Sequence, residues 1–319
     1  MAEHDVLCFG ETMAMFVAGQ CGDLAQVEGF GKRIAGADSN VAIGLARLGL
    51  RVNWLSRVGD DSLGAFVLAT LRSEGLDCTQ VEVDSEHPTG FQLKERCDDG
   101  RDPKVEYFRR GSAASRLSPA QLHPRALQAR HLHATGIPPA LSASCRALSH
   151  ALLDGMRAQG RSISFDPNLR PSLWPDRQTM IDEINALAFK ADWVLPGLEE
   201  GRLLTGCDTP QAIADFYLSR GVQYVAIKLG AEGAYWRDAQ GRHGVVPGHP
   251  VEQVVDTVGA GDAFAVGVVS ALLAGLPLRR AVDRGNWCGS RAVQSRGDME
   301  GLPQRHELEQ YESNLINRI

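Results

Sequence analysis

Segments typical of strands and segments typical of helices alternate along most of this 319-residue sequence. Residues 52–58 alternate apolar and polar side chains as a strand does, and residues 61–75 then have helical spacing and end on a glycine. The same pairing recurs with a helix over 142–159 and a strand over 162–166. Strands that alternate with helices form a mostly parallel sheet with helices on its faces. The sequence therefore predicts an α/β fold with a mostly parallel central sheet.

Two stretches interrupt this alternation, one near residues 14–34 and one near residues 83–108. Neither has a clear helix, and both contain short alternating runs of the kind found in β-hairpins. The second stretch includes a turn-rich segment over 97–103. We expect these stretches to form one small β lid over the edge of the main sheet. Because no linker or repeat is evident, residues 1–319 are expected to form a single domain.

Charge and cysteine content exclude several classes of protein. The formal net charge is -6, whereas a nucleic-acid-binding protein has a basic stripe. The longest apolar run, residues 263–276, is too short to span a bilayer. The first ten residues lack the order of a signal peptide, and the seven cysteines form no CxxC pair. We expect a cytoplasmic protein that binds neither nucleic acid nor membrane.

The most specific motif is DTVGAGD at residues 256–262, which is followed directly by an apolar run. A buried helix that begins near Gly261 would leave its first amides without partners, and such amides bind anions. Small residues at Gly259, Ala260 and Gly261 would let a phosphate oxygen approach the backbone. Asp262 would then lie beside the anion site as a base, which is the arrangement that phosphoryl transfer needs. A bare GxGD would serve equally well as an ordinary turn before a helix, but the whole heptapeptide is more specific.

The heptapeptide resembles the C-terminal signature of the ribokinase-like (PfkB) family of carbohydrate kinases. Other motifs similar to that family follow in the right order: IAGADSN at 34–40, KLGAEGA at 228–234 and RGN at 284–286. The resemblance covers residues 5–300. It implies a three-layer sandwich with a small β lid, and ATP and Mg²⁺ as cofactors. It also raises the expectation of a monovalent cation beside the turn.

The resemblance further implies roles for individual residues. Asp262 is the catalytic base, and Gly259, Ala260 and Gly261 hold the transferred phosphoryl group. The candidate sugar-binding residues are Gly36, Asp38, Asn40, Phe91, Tyr107, Arg109 and Arg170, with Arg33 a further hydroxyl or lid contact. The candidate nucleotide-binding residues are Asn168, Lys228, Gly230, Glu232, Gly233, Thr257 and Asn286.

The sequence departs from the family pattern at three places. Gly197 stands where the NxxE motif has asparagine, although Glu200 fits it. We therefore expect Glu200 to reach the magnesium ion indirectly, through water, as suits the reluctance of magnesium to lose its hydration shell. Ala35 replaces the first glycine of the N-terminal motif, and Phe91 lies where the sugar-acid branch often has tyrosine.

Two arginines favour an acidic substrate. Tyr107 and Arg109 would share one face of a strand, and Arg170 follows a strand at the edge where α/β sheets bind ligands. Two guanidinium groups suit a carboxylate, although each arginine taken alone could equally be a surface or ion-pair residue. The segments 10–13, 107–115 and 166–170 are similar to the branch of the family that phosphorylates 2-keto sugar acids.

The resemblance thus implies ATP-dependent phosphorylation of the terminal hydroxyl of 2-keto-3-deoxygluconate. The alternative substrate, 2-ketogluconate, differs by one hydroxyl at C3, and no residue decides between them. Another sugar kinase of the family is less favoured because the arginines would lack a partner. A different class of protein, a non-catalytic sugar-acid sensor, stays open as well. Exposed strands of the lid would also permit a homodimer.

Overall fold

Two β-sheets and their surrounding helices make up residues 4–97, 103–124 and 126–316, which are the residues that the computed structural model describes. The strands are β1 (Val6–Phe9), β2 (Met13–Cys21), β3 (Phe30–Ala35), β4 (Val52–Gly59), β5 (Asp77–Asp84), β6 (Phe91–Arg96), β7 (Val105–Phe108), β8 (His131–Thr135), β9 (Ser162–Asp166), β10 (Trp193–Val194), β11 (Tyr224–Lys228), β12 (Ala234–Asp238) and β13 (His243–Val246). The helices are α1 (Ala37–Arg47), α2 (Ser62–Ser73), α3 (Pro138–Leu141), α4 (Ala143–Ala158), α5 (Arg177–Ala188), α6 (Leu198–Thr205), α7 (Pro210–Leu218), α8 (Ala260–Leu273), α9 (Leu278–Ala292) and α10 (Arg305–Ile316).

The larger sheet has the order β13-β12-β11-β10-β9-β8-β1-β4-β5. Its strands from β5 through β1 to β11 are parallel, and β12 and β13 are antiparallel to their neighbours. The mostly parallel sheet that the sequence predicts is therefore confirmed.

Helices cover both faces of this sheet. Side chains of β1 alternate between two cores: Val6 and Cys8 lie in one, and Leu7 and Phe9 lie in the other. The first core includes α1, α2, α8 and α9, whereas the second includes α4, α5, α6 and α7. The sequence of a strand that is buried on both faces is a continuous apolar run, and this is true of β1. The expected three-layer α/β sandwich is confirmed.

The smaller sheet has the order β3-β2-β6-β7. Its strands come from the two stretches that interrupt the alternation, but the second stretch begins later than expected. Residues 83 and 84 still belong to β5 of the larger sheet, and the small sheet resumes only at Phe91. Residues 98–102 of the predicted turn lie outside the described residues. That this small sheet acts as a lid stays a prediction.

The two sheets meet at the carboxyl ends of the parallel strands, where ligands bind in open α/β sheets. Glu11 follows β1, Asp166 ends β9 and Lys228 ends β11. Side chains of the small sheet, among them Gln92 and Tyr107, line the same cavity as Lys228. Among the described helices, none combines the length and the apolar character that crossing a membrane would require.

Candidate active site

The turn before α8 is shaped by a glycine that no other residue can replace without strain. Gly259 has φ +83° and is the N-cap of α8. A Cβ added to it would lie 2.5 Å from the carbonyl oxygen of Asp298. One residue earlier in the turn, the amide of Val258 donates to Oδ1 of Asp256 over 3.1 Å. The turn therefore leads into α8 with its backbone amides at the positive end of a 14-residue helix.

Asp262 is buried in the first turn of α8 and is held by two neutral amides. Nδ2 of Asn40 donates to Oδ2 over 2.8 Å, and Nδ2 of Asn168 donates to Oδ1 over 3.1 Å. Burial raises the pKa of Asp262, while the Asn40 hydrogen bond and the charge of Lys228 oppose that rise. Because amide donors orient the carboxylate without giving it a proton, Asp262 can accept a proton from a hydroxyl group.

Both amides are held by unusual local backbone. Asn168 has φ 40°, a left-handed conformation that among the described non-glycine residues it alone adopts. Such strain persists where the surrounding structure enforces it, and here it directs the side chain to Asp262. Asn40 lies in the first turn of α1, which begins after Gly36. A Cβ at Gly36 would lie 2.4 Å from the carbonyl oxygen of Glu11, so only glycine permits this close approach of α1 to β1.

A cavity of about 590 Å³ opens between the small sheet and Asp262. It is lined by many of the residues that the sequence predicts, together with others that it does not. The predicted residues in its wall are Gly36, Asn40, Tyr107, Arg109, Asn168, Arg170, Glu200, Lys228, Thr257, Gly259, Gly261 and Asp262. We call this space the sugar-side cavity.

Phe91 does not lie in this wall, contrary to the sequence expectation. Its ring stacks on Phe108 with centroids 4.7 Å apart and meets Phe16 edge-on. The next residue, Gln92, faces the cavity and pairs across the sheet with Tyr107. Successive side chains of a strand point to opposite faces, so Gln92 takes the position that the sequence assigned to Phe91.

Asp38 is a second residue that the structure places away from the sugar-side cavity. Its side chain is buried, and Oδ1 accepts a 2.8 Å hydrogen bond from the hydroxyl of Thr135. Burial raises the pKa of Asp38 to about 8, and the nearby charge of Asp262 adds to that rise. Asp38 therefore supports the base of α1 instead of facing a ligand. Arg33, the further candidate, pairs with Glu300 over 2.7 Å.

The two arginines differ in their partners. Nε of Arg109 lies 2.6 Å from Oε2 of the buried Glu11, whose Oε1 accepts from the hydroxyl of Ser112. Arg170 is exposed at the cavity wall and donates to the carbonyl oxygen of Leu169. Within the described ranges no carboxylate lies within ion-pair distance of Arg170. The cavity wall thus has the guanidinium of Arg109, which Glu11 holds in place, and the guanidinium of Arg170, which is available to bind an anion.

Glu200 uses both carboxylate oxygens to accept backbone hydrogen bonds. Oε1 accepts from the amide of Leu169 over 2.8 Å, and Oε2 accepts from the amide of Gly197 over 2.7 Å. Gly197 needs no side chain for this contact, so the missing asparagine leaves the start of α6 intact. Among the residues that the structure describes, no cluster of three acidic, histidine or cysteine side chains is arranged to hold a metal. These contacts are compatible with the water-mediated metal contact expected of Glu200.

A second cavity, of about 600 Å³, lies on the other side of the turn, and we call it the nucleotide-side cavity. Its lining includes the predicted residues Lys228, Gly230, Gly233, Thr257, Ala260, Gly261 and Asn286. Nδ2 of Asn286 donates to the carbonyl oxygens of Val246 and Pro247, so it also holds the loop that forms the cavity wall. Glu232 is exposed and is absent from the wall, unlike the sequence expectation.

Lys228 lines both cavities. Its ammonium group lies 2.6 Å from Oδ2 of Asp166. Burial raises the pKa of Asp166 to about 7 despite this lysine, while Asp166 and Glu200 outweigh burial and hold the pKa of Lys228 above its ordinary value. A cation is thus fixed where the two cavities meet, beside the amides of the turn.

Sequence reasoning missed several residues of the two walls. Gln92, Lys94 and Glu11 line the sugar-side cavity, and the loop over 248–251 lines the other. Strict alternation along β6 would have indicated Gln92 and Lys94 as a pair, because they share a face. Glu11 lies in the segment 10–13, whose similarity to the sugar-acid branch could have indicated it. For the loop, the local sequence gives no comparable signal.

Comparisons with known proteins agree on one family. The family model described as pfkB family carbohydrate kinase matches residues 3–305. The chain is similar to the 2-dehydro-3-deoxygluconokinase of Bacillus subtilis (strain 168), with 53% identity over 95% of this chain and 94% of that protein. The enzyme of the same name from Thermoproteus tenax is 33% identical over 96% of this chain and 93% of its own length.

The chain is also similar to solved structures over nearly its whole length. A PfkB protein from Polaromonas sp. JS666 is 53% identical with a TM-score of 0.89, covering 96% of this chain and 99% of that one. A putative ribokinase II from E. coli in complex with ATP and Mg²⁺ also has a TM-score of 0.89, at 27% identity, covering 98% of this chain and 99% of that one.

Proposed function

Since the chain belongs to the pfkB family of carbohydrate kinases, we propose that it phosphorylates 2-keto-3-deoxygluconate with ATP at the terminal hydroxyl, giving the 6-phosphate. The relative at 53% identity bears the name of that activity. The observation that carries the proposal is the meeting of two cavities at Lys228, Thr257 and Gly261, with the carboxylate of Asp262 on the sugar side.

Phosphoryl transfer follows from this geometry. ATP occupies the nucleotide-side cavity with its γ-phosphate at the turn, and the sugar acid occupies the other cavity. Asp262 accepts the proton of the terminal hydroxyl as that oxygen attacks the γ-phosphorus, and the bond from this phosphorus to the bridging oxygen breaks, so that ADP leaves. The amides of Gly259, Ala260 and Gly261 and the ammonium of Lys228 hold the charge on the moving group. Bound magnesium would neutralise phosphate charge, and Glu200 would reach it through water.

The carboxylate of the substrate is assigned to Arg170 and Arg109. Arg170 is exposed at the wall with an available guanidinium, and the Glu11 carboxylate keeps Arg109 in a fixed orientation. Charge-assisted hydrogen bonds of this kind contribute about 1.5–3 kcal/mol each. Arg170→Ala should therefore raise KM for the sugar acid about 10- to 150-fold and leave KM for ATP unchanged. Arg110→Ala, at an exposed neighbour of Arg109, is the matched control.

The experiment that tests the proposal is ADP release with MgATP and four sugars in parallel: 2-keto-3-deoxygluconate, 2-ketogluconate, ribose and fructose. Turnover on 2-keto-3-deoxygluconate far above the others is the expected result. Preference for 2-ketogluconate would keep the carboxylate assignment and change the substrate. Turnover on a neutral sugar alone would refute the arginine assignment, and binding of a sugar acid without turnover would favour a sensor.

Assembly and location follow as further parts of the proposal. The stacked Phe91 and Phe108 rings, the latter 48% exposed, give the outer face of the small sheet an apolar patch. Such a patch on an exposed sheet suits pairing with a second copy, so we assign a homodimer through the lid, to be tested by light scattering. We place the reaction in the cytoplasm, where MgATP is available, and we keep a monovalent cation near the turn as a prediction.

A further inference from the structure

Lys94 buries its ammonium group between two carboxylates behind the catalytic turn. Nζ lies 2.8 Å from Oδ2 of Asp256 and 3.0 Å from Oδ1 of Asp298. The lysine side chain is only 3% exposed, and the two carboxylates are nearly as well buried. A lysine is almost never buried without a charged partner, and here Asp256 and Asp298 are both within ion-pair distance.

Each carboxylate supports a different part of the turn. Asp256 accepts from the amide of Val258 through its other oxygen, and the main chain of Asp298 packs directly beneath Gly259. Lys94 therefore holds both supports of the turn from one side. If its ammonium were removed, two like charges would face each other next to the amides that lead into α8.

The charges around Lys94 favour its protonated form. Burial alone would lower the pKa of Lys94, but Asp298 and Asp256 outweigh burial, and the net direction is upward. Burial raises the pKa of Asp298, and the charge of Asp262 contributes to that rise. The turn thus has three carboxylates close to the place where a polyphosphate must approach, and Lys94 offsets part of their repulsion.

Lys94 also belongs to the small sheet that covers the sugar-side cavity. It follows Gln92 by two residues on β6, so the two side chains share a face about 7 Å apart. Both line the sugar-side cavity. The partners of Lys94 lie 162 and 204 positions further along the chain. This lysine is therefore a direct connection between the sheet over the sugar and the turn beneath the phosphate.

We propose that Lys94 is a positioning residue for phosphoryl transfer: its ammonium is a built-in cation that fixes the turn and couples it to the small sheet over the sugar. Lys94 touches neither reacting oxygen, and it acts through Asp256 and Asp298. The inference rests on the carbohydrate kinase activity of the chain and not on which sugar acid it accepts.

The test compares Lys94→Ala with the wild-type protein and with Lys94→Met, which keeps most of the apolar stem. A misplacement of about 1 Å near the chemistry can cost about a hundredfold in rate, so both variants should lose about that factor in kcat with little change in KM for ATP. In Lys94→Ala, ammonium or ethylammonium chloride should restore at least a tenth of the lost activity, whereas tetramethylammonium chloride, which has no N–H group to donate to the two carboxylates, should not. ADP is measured by chromatography, because coupling enzymes respond to cations themselves.

Lys104→Ala is the matched control, since Lys104 directly precedes β7 of the same sheet, is 66% exposed and pairs with Glu106. It should keep wild-type kcat with every salt. Hydrogen exchange of the peptide over 256–262, measured without sugar, should quicken in both Lys94 variants and not in the control. This readout does not depend on the substrate, so it separates failure of this inference from failure of the proposed function.

Three results would overturn the inference. The first is kcat of Lys94→Met within threefold of wild type. The second is a loss of kcat that ammonium and ethylammonium restore no better than tetramethylammonium. The third is unchanged hydrogen exchange over 256–262 in variants that fold, as judged by thermal unfolding.

Discussion

Replacing Gly259 with alanine puts a methyl group where the structure leaves no room for one. The new Cβ would lie 2.5 Å from the carbonyl oxygen of Asp298, whereas ordinary contacts begin at 3.4 Å. One of the two backbone segments must therefore move by about 0.9 Å. The left-handed conformation of this residue, φ +83°, adds about 1–2 kcal/mol of strain for any residue with a Cβ.

The displacement falls on the amides that we propose hold the phosphoryl group. A shift of about 1 Å in such a site costs about a hundredfold in rate, which corresponds to about 2.7 kcal/mol in the activation free energy. Gly259→Ala should therefore lose about two orders of magnitude in kcat. Its free energy of unfolding should fall by about 1–2 kcal/mol or slightly more, from the backbone strain and the contact with Asp298.

Gly275→Ala separates the two effects. Gly275 has φ +79°, close to the value at Gly259, and no heavy atom of the described residues lies within 4 Å of an added Cβ. Gly275→Ala should lose a similar 1–2 kcal/mol of stability and keep its kcat. The assays are ADP release with the sugar acid and urea unfolding. If kcat of Gly259→Ala were within threefold of that of Gly275→Ala, the turn amides would not have the role given to them here.

Four further substitutions test other parts of the site. Asp262→Asn should lower kcat by about 10²- to 10⁴-fold with unchanged affinity for a non-hydrolysable ATP analogue by calorimetry, and undiminished turnover would remove Asp262 from the role of base. Phe91→Tyr should leave KM for the sugar acid within twofold, because Phe91 faces away from the cavity, whereas Gln92→Ala should raise it several-fold; steady-state kinetics that gave the reverse order would contradict the strand register. Because the pKa of Asp38 is raised to about 8, the native state binds a proton there that the unfolded state has lost. The contribution of Asp38 to the free energy of unfolding is complete below about pH 4 and disappears as the pH rises towards 8. In urea unfolding between pH 5 and pH 8, the free energy of unfolding of the wild type should therefore fall with rising pH by up to about 1.4 kcal/mol per pH unit more than that of Asp38→Asn. Equal slopes in the two proteins would refute the raised pKa of Asp38.

Much of the fold could be predicted from local sequence. The buried strands are short apolar runs, and the helices between them have caps and stops that can be read directly, as Ser142 and Asp61 illustrate at the starts of α4 and α2. The turn before α8 could be predicted for a similar reason. Its glycines and the apolar helix that follows are neighbours in the chain, so their spacing already defines an anion site.

The predictions failed where the outcome depended on which face of a strand was inward. Residues 90–94 have an apolar side chain at every second position, which indicates a strand but not which of its faces meets the ligand. Pairing of β6 with β2 and β7 decides that face, and a shift of one residue exchanges the two sets of side chains. The resemblance to the sugar-acid branch places Phe91 at the cavity, and the sequence of β6 alone offers no test of that placement.

The sequence by itself determined the class of fold, the family and the place of Asp262 at the start of an apolar helix, because each depends on residues that are close together in the chain. Only the tertiary structure decided the partners of the charged groups. Glu11 meets Arg109 across 98 positions, and Lys94 meets Asp256 and Asp298 across 162 and 204. Such pairs form when separate elements pack together, and a buried charged group then pairs with the opposite charge that this packing places next to it.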